Sequence, residues 1–303
     1  MKHTRISLLE RAAEVYDFGA ALRARDLPPV PAEVAPAAVV PVEIEREIEA
    51  PLVLRRHEPG VAVIDRIALG QMGYVVPDAP VTGLAEEFRL IKRQLLAAIE
   101  RRVSLPEEKR RSTLITSAQP AEGKSFCAVN MALSLAGERD IEVLLVDGDF
   151  AKPDMLSILG IEGGRGLVDA LADPLADPED FVIRTDVEGL SVLPAGAKAN
   201  NVPELLASER TREVLAKLVA GDRRRIILFD SPPALVASPA TVLAGCVGQV
   251  LVVVRADRTT EADLRETIGL LSGCDHVSLI LNGAGLAVTG RRFGSYDGYG
   301  HDD

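Results

Sequence analysis

Ile115-Thr-Ser-Ala-Gln-Pro-Ala-Glu-Gly-Lys-Ser125 is the stretch that decides the fold of this chain. It follows a short apolar run, Thr113 to Thr116, and opens a segment of helical character from Phe126 to Ala136. A loop in that position ending Gly123-Lys124-Ser125 can cradle phosphate. Backbone N–H groups and a helix N-terminus face the anion, the lysine reaches the terminal phosphates, and the serine hydroxyl ligates Mg²⁺. The spacing departs from G-x-x-x-x-G-K-[ST] at one place, because Ala118 stands where the first Gly belongs. On its own the pattern leaves open a chance Gly-Lys-Ser in a turn.

Two later segments close that opening. Val143-Leu-Leu-Val-Asp-Gly-Asp149 is an apolar run ending on two acids one position apart, and Ile226-Ile-Leu-Phe-Asp230-Ser-Pro-Pro233 is another that ends on Asp. Continuous Val/Ile/Leu runs are the pattern of parallel strands buried on both faces. Ligands of open α/β sheets sit at the carboxyl ends of such strands. Lys124, Ser125, Asp147, Asp149 and Asp230 therefore share one rim of one sheet. An Asp that holds Mg²⁺ is the partner this loop requires. A lone Asp after a strand is as easily a turn cap, but three strand-end acids in this order mark a nucleotide site.

Hydrophobic residues make up 47% of the 303, which is ample for a core, yet aromatics are 4% and Trp is absent. The core is accordingly aliphatic. A net charge of −11 argues against sequence-independent nucleic-acid binding, which needs a basic face, while leaving room for a local basic patch such as Arg110-Arg111 or Arg223-Arg224-Arg225. Cys127, Cys246 and Cys274 have no metal-ligand spacing and read as free thiols in a reducing compartment. Glu10, Arg11 and Glu14 interrupt any secretory apolar region. No apolar run approaches the ~20 residues that span a bilayer. The expected location is cytoplasmic.

Residues 1–25 carry Ile6, Leu8, Leu9, Ala12, Ala13, Tyr16 and Ala20 at helical spacing and read as an amphipathic helix. Residues 26–80, rich in Pro, Ala, Val and Glu, read as a linker that is partly ordered after Val61. A domain over 81–285 follows, opening on a helix from Gly83 to about Arg102 with Leu84, Phe88, Ile91, Leu95 and Ala98 as its apolar stripe. Strands are expected at 113–117, 142–147, 190–194, 225–230, 248–254 and 277–282. Helices are expected at 124–137, near 153–159, 166–172, 203–219, near 238–245 and 259–272. Such alternation predicts the α/β class: a P-loop NTPase, mostly parallel, with helices on both faces. Residues 286–303 form a Gly-rich polar tail containing Tyr296 and Tyr299.

In combination these residues resemble the bacterial tyrosine autokinases of exopolysaccharide biosynthesis. The resemblance rests on Ser117 to Ser125, Val146-Asp-Gly-Asp-Phe-Ala-Lys-Pro153, Phe229-Asp-Ser-Pro-Pro233, Leu193-Pro-Ala-Gly196 and Asn200-Asn-Val-Pro-Glu-Leu-Leu206. Glu86-Glu-Phe-Arg-Leu-Ile-Lys-Arg93 is similar to that family's oligomerisation helix, and the N-terminal Ser-Leu-Leu-Glu-Arg-Ala segment to its cytoplasmic, exosortase-linked subgroup. Single motifs would indicate only a MinD/ParA-like ATPase. Three departures stand out. Ala121 replaces a usual Gly and is strained if φ is positive there. Gly148 replaces an Ala, which reads as harmless. The terminal tyrosine cluster is reduced to Tyr296 and Tyr299.

The resemblance implies ATP and Mg²⁺ as cofactors and protein tyrosine as substrate. Gln119, Pro120, Ala121, Glu122, Gly123, Lys124, Ser125 and Phe126 are the expected nucleotide-binding residues. Asn282 is a candidate for the adenine and equally an Asn that ends a strand. Ser125, Asp147 and Asp230 are the expected metal-binding residues, and Lys124, Asp147, Asp149 and Asp230 the catalytic ones, with Asp147 facing the phenol proton. Tyr296 and Tyr299 would be autophosphorylated; Tyr74 is either buried or a further acceptor. Glu86, Arg89 and Lys92 would join copies into a homo-oligomer, conceivably a ring, although i,i+3 pairing within one helix explains them too. A membrane polysaccharide co-polymerase would recruit the chain to the inner membrane face. The rival readings are an ATPase switch without tyrosine phosphorylation and a nucleotide-binding scaffold of degenerate activity.

Overall fold

The computed structural model describes residues 60–284. The expected N-terminal helix, the linker up to residue 59 and the tail with Tyr296 and Tyr299 lie outside the described residues.

Seven strands form one sheet in the order β3-β4-β2-β5-β1-β6-β7. They are β1 Ser112–Ser117, β2 Glu142–Asp147, β3 Ile183–Arg184, β4 Leu190–Leu193, β5 Arg225–Asp230, β6 Gln249–Arg255 and β7 Val277–Asn282. Every pairing is parallel except the two-residue β3 against β4. Side chains alternate between faces along a strand, and the core divides accordingly. Ile115, Val143, Leu145, Leu228, Leu251 and Val253 enter one apolar cluster. Leu114, Leu144, Val146, Phe229, Val250 and Val252 enter the other. Both faces are thus covered, which is why these strands read as unbroken aliphatic runs.

The first face is covered by α1 Arg66–Gln71, α2 Gly83–Arg101, α4 Lys124–Ala136 and α5 Met155–Leu159, with the four-residue α3 Glu107–Arg110 leading into β1. Thr82 caps α2, its hydroxyl accepting from Ala85 N, and Phe88, Leu95, Ala98 and Ile99 form the buried stripe. The other face is covered by α6 Leu167–Ala172, α7 Val202–Ala207, α8 Glu209–Gly221, α9 Ser238–Cys246 and α10 Glu261–Leu270. The last begins with a capping box, Thr260 with Asp263.

The partial order expected after Val61 is present: Ile64 and Leu69 are buried, Asp65 caps α1, and Ala62 bridges to Thr185. Two expectations change. The single helix expected over 203–219 is two, because extended Ser208 interrupts it. The Ser208 and Thr211 hydroxyls donate to Leu205 O, satisfying a carbonyl left free by the break. The antiparallel β3, two residues long, had no periodicity to betray it.

Candidate active site

β1 delivers the chain into the phosphate loop, and the loop delivers it into α4. To make that turn Ala121 adopts φ 62° and Gly123 φ 98°. The positive φ suspected at Ala121 is therefore present, and a side chain there is strained. At Gly123 a Cβ would lie 2.1 Å from Asn282 Nδ2, so a side chain there would displace the Asn282 amide as well as strain the backbone. Lys124 and Ser125 begin α4, and its N-cap Gly123 supplies no side-chain cap, which leaves the first-turn amides available to an anion.

Next to the loop, β2 and β5 pair so that Asp147 lies beside Asp230 in register. Gly148 N donates to Asp230 O at 2.7 Å. A Cβ at position 148 would sit 2.8 Å from that same oxygen. The sequence reading of Gly148 as a neutral replacement is thereby corrected: alanine would push apart the strand ends that carry both aspartates.

Asp147 and Asp230 are buried, at 1% and 0% exposure, and Asp147 Oδ2 and both Asp230 carboxylate oxygens have no hydrogen-bond partner. Burial, helped by Asp230, pushes the Asp147 carboxyl up to about 7. Burial pushes Asp230 up to about 6, although Lys124 and the Ser125 hydroxyl pull it down. Asp149 is also buried, and its Oδ2 accepts from Lys124 Nζ at 2.8 Å. Burial lowers the Lys124 pKa, but Asp230 and Asp149 outweigh it and hold the ammonium above its ordinary value. The structure thus gathers the sequence-predicted acids around one lysine and one serine.

Unpartnered buried carboxylate oxygens on paired strand ends, near the Ser125 hydroxyl, fit a divalent cation. Among the described residues no group of three His, Cys, Asp or Glu is placed to hold a metal alone.

Other expected residues fall elsewhere. The Glu122 side chain is fully buried and bonded to Gln119 N and Thr259, so it braces the loop from behind. The Asn282 amide donates to Glu122 O, placing it on the loop backbone. Pro120 and Ala121 lie exposed at the loop crest. Phe126 faces away from the loop, its ring centroid 4.9 Å from that of Tyr74. Burial, with Asp154 and Asp230 adding to it, pushes the Tyr74 phenol up to about 12. Asp154, at the start of α5, is an acid the motif reading missed; it contributes to the field at Lys124, Asp147 and Asp230. Its position just after Lys152-Pro153 was the available signal.

The oligomerisation expectation needs correction at Lys92. That side chain is 6% exposed and directed inward, donating to Ser134 O and pairing with Glu138 Oε1, each at 2.8 Å. Glu86 and Arg89 pair with each other within α2 and stay exposed. A cleft of about 1230 Å³ adjoins this helix and the amino ends of β2 and β4, lined by Arg89, Arg93, Glu138 and Glu188. The phosphate-loop acids lie at the carboxyl ends instead.

No family model matches the chain. It is 29% identical over 197 residues to the putative tyrosine-protein kinase CapB of Staphylococcus aureus, covering 65% of this chain and 82% of that one. It is 26% identical to the tyrosine-protein kinase YwqD of Bacillus subtilis, covering 76% and 91%. Other relatives are far longer: the match spans 25% of the tyrosine-protein kinase wzc of Salmonella typhimurium. Among solved structures, the VpsO kinase domain is 32% identical, with 64% of this chain and 96% of that one covered at a TM-score of 0.50. The BceF tyrosine kinase domain is 30% identical over 64% and 76%, with a TM-score of 0.53.

Proposed function

Because this chain belongs to the family of bacterial tyrosine-protein kinases, we propose that it transfers the γ-phosphoryl group of ATP to protein tyrosine at the Lys124–Asp230 site. The observation that supports this most directly is the pair Asp147 and Asp230, buried side by side with unpartnered oxygens next to Lys124. Buried acids without partners destabilise a fold, and such sites are functional ones.

Phosphoryl transfer asks a protein for position and charge more than for covalent chemistry. The loop amides and Lys124 hold the β- and γ-phosphates. Ser125 and Asp230, with Asp147 beside them, would hold Mg²⁺, which when bound neutralises charge on the phosphates. An incoming phenol has a pKa of about 10 and arrives protonated. Asp147, whose carboxyl burial pushes up to about 7, accepts that proton as the phenol oxygen attacks the γ-phosphorus, the bond to the β,γ-bridging oxygen breaks and ADP leaves. Asp149 holds Lys124 in place until the phosphates take over.

The acceptors in this reading are Tyr296 and Tyr299, close together in a Gly-rich tail that can enter a second copy's site. Each phosphate added beside Asp297, Asp302 and Asp303 repels the acidic centre and releases the tail. Glu86 and Arg89, exposed on α2, would meet a neighbouring copy, while the internal pairing of Lys92 with Glu138 speaks against that role for Lys92. A membrane polysaccharide co-polymerase is the proposed recruiting partner. Among the described residues no helix is long and apolar enough to cross a membrane.

The test is incubation of the full chain with ATP and Mg²⁺, followed by phosphotyrosine detection and mass spectrometry. Phosphate on Tyr296 and Tyr299, lost in Lys124→Met and reduced in Asp147→Asn at undiminished nucleotide affinity, is the expected result. ATP hydrolysis without phosphotyrosine would instead make the chain an ATPase switch.

A further inference from the structure

We propose that Glu122 is a positioning residue: a buried clamp that holds the phosphate loop in its binding shape by tying it to the β6–α10 connection. The proposal rests on reading the loop as a nucleotide site. A carboxylate at 0% exposure is costly to bury unless its oxygens are hydrogen-bonded. Both are. Oε2 accepts from Gln119 N at 2.8 Å, and Oε1 accepts from the Thr259 hydroxyl. The Thr259 oxygen in turn accepts from Arg255 N at 2.8 Å. A hydroxyl has a single proton. With the Arg255 N–H occupying a lone pair, that proton is directed at Glu122.

Two further ties act on the same loop from the same side. Asn282 Nδ2 donates to Glu122 O at 2.9 Å, and Gln119 Nε2 donates to Asp263 Oδ1 at 3.2 Å. Asp263 is itself fixed by the capping box of α10. Gln119 is therefore gripped at backbone and side chain, three residues before Glu122 is gripped at its own carbonyl and carboxylate. Between them the chain must hold Ala121 at φ 62° and turn through Gly123 at φ 98°. A strained loop keeps such a shape only if its surroundings over-determine it. The clamp supplies that constraint without touching phosphate, which separates Glu122 from Lys124 and Ser125.

Titration calorimetry with a non-hydrolysable ATP analogue and Mg²⁺ tests this on the full chain, with circular dichroism as the folding control. Glu122→Ala should weaken binding at least ~10-fold, since misplacement of about 1 Å in a site carries costs of that order or more. Glu122→Gln should restore most of the affinity, because its carbonyl can accept from Gln119 N while its amide donates to Thr259. Thr259→Val should weaken binding in the same direction, and adding it to Glu122→Ala should cost little more, as one shared contact is already lost. Unchanged binding in Thr259→Val together with folded Glu122→Ala overturns the clamp. So does a Glu122→Gln defect as large as that of Glu122→Ala, or additivity of the two losses. Absence of binding in the wild type would overturn the nucleotide reading itself.

Discussion

Lys124 Nζ lies 2.8 Å from Asp149 Oδ2 in a pair whose side chains are 12% and 10% exposed. The lysine that should grip phosphate is thus already gripped by an acid. In the proposed reading nucleotide would displace that contact, and Asp230 offers a second attraction for the freed ammonium.

Replacing Asp149 with Asn should therefore strengthen ATP binding, by up to about tenfold, while slowing phosphoryl transfer. The phosphates would no longer compete with a carboxylate, but Lys124 would lose the partner that orients it. Measured Kd and kcat check this. A fall in both affinity and rate, or no change in either, contradicts the assignment.

Asp230 lends itself to a stability measurement. Its carboxyl, pushed up to about 6 by burial, binds its proton more tightly folded than unfolded. The sign follows from linkage: folding is favoured while the group stays protonated, and that contribution is lost as pH rises through about 6. Asp230→Asn should raise the Tm of the nucleotide-free protein by a few degrees at pH 8, and the gain should vanish near pH 4. A destabilised Asn variant at pH 8 would contradict this.

At the loop crest, Ala121→Gly should relieve the positive-φ strain. After the extra flexibility glycine gives the unfolded chain, a net gain of about 0.5–1 kcal/mol is expected. Denaturant unfolding of the full chain reads it directly, and a loss of stability would show that Ala121 is not strained.

The Lys92 ammonium holds Glu138 below the ordinary carboxylate range, chiefly through its hydrogen bond. For a depressed carboxyl the stabilisation is present above the unfolded pKa and fades as pH falls through the folded one. Lys92→Met should cost about 1–2 kcal/mol at neutral pH and much less in acid. Sedimentation of the same variant should match wild type, whereas Glu86→Lys should reduce self-association. Loss of self-association in Lys92→Met without loss of stability would restore Lys92 to the interface.

The sequence by itself determined the sheet, the loop and the identity of the acids at its rim. Aliphatic runs such as Leu144-Leu-Val146 and Ile226-Ile-Leu228 can be satisfied only between two layers of helices, and Gly123-Lys124-Ser125 after a strand has few other uses. These are local patterns, and chain periodicity records them. Tertiary structure alone decided which partner each polar side chain took. Lys92 was drawn to Glu138, 46 positions further on, and Glu122 to Thr259, 137 positions further on, by the packing of α2 on α4 and of β6 beside β1. Gly148 looked interchangeable with alanine until β5 brought the Asp230 carbonyl against it. A buried charge or a crowded Cα answers to neighbours that only the folded chain assembles, and spacing along the sequence carries no record of them.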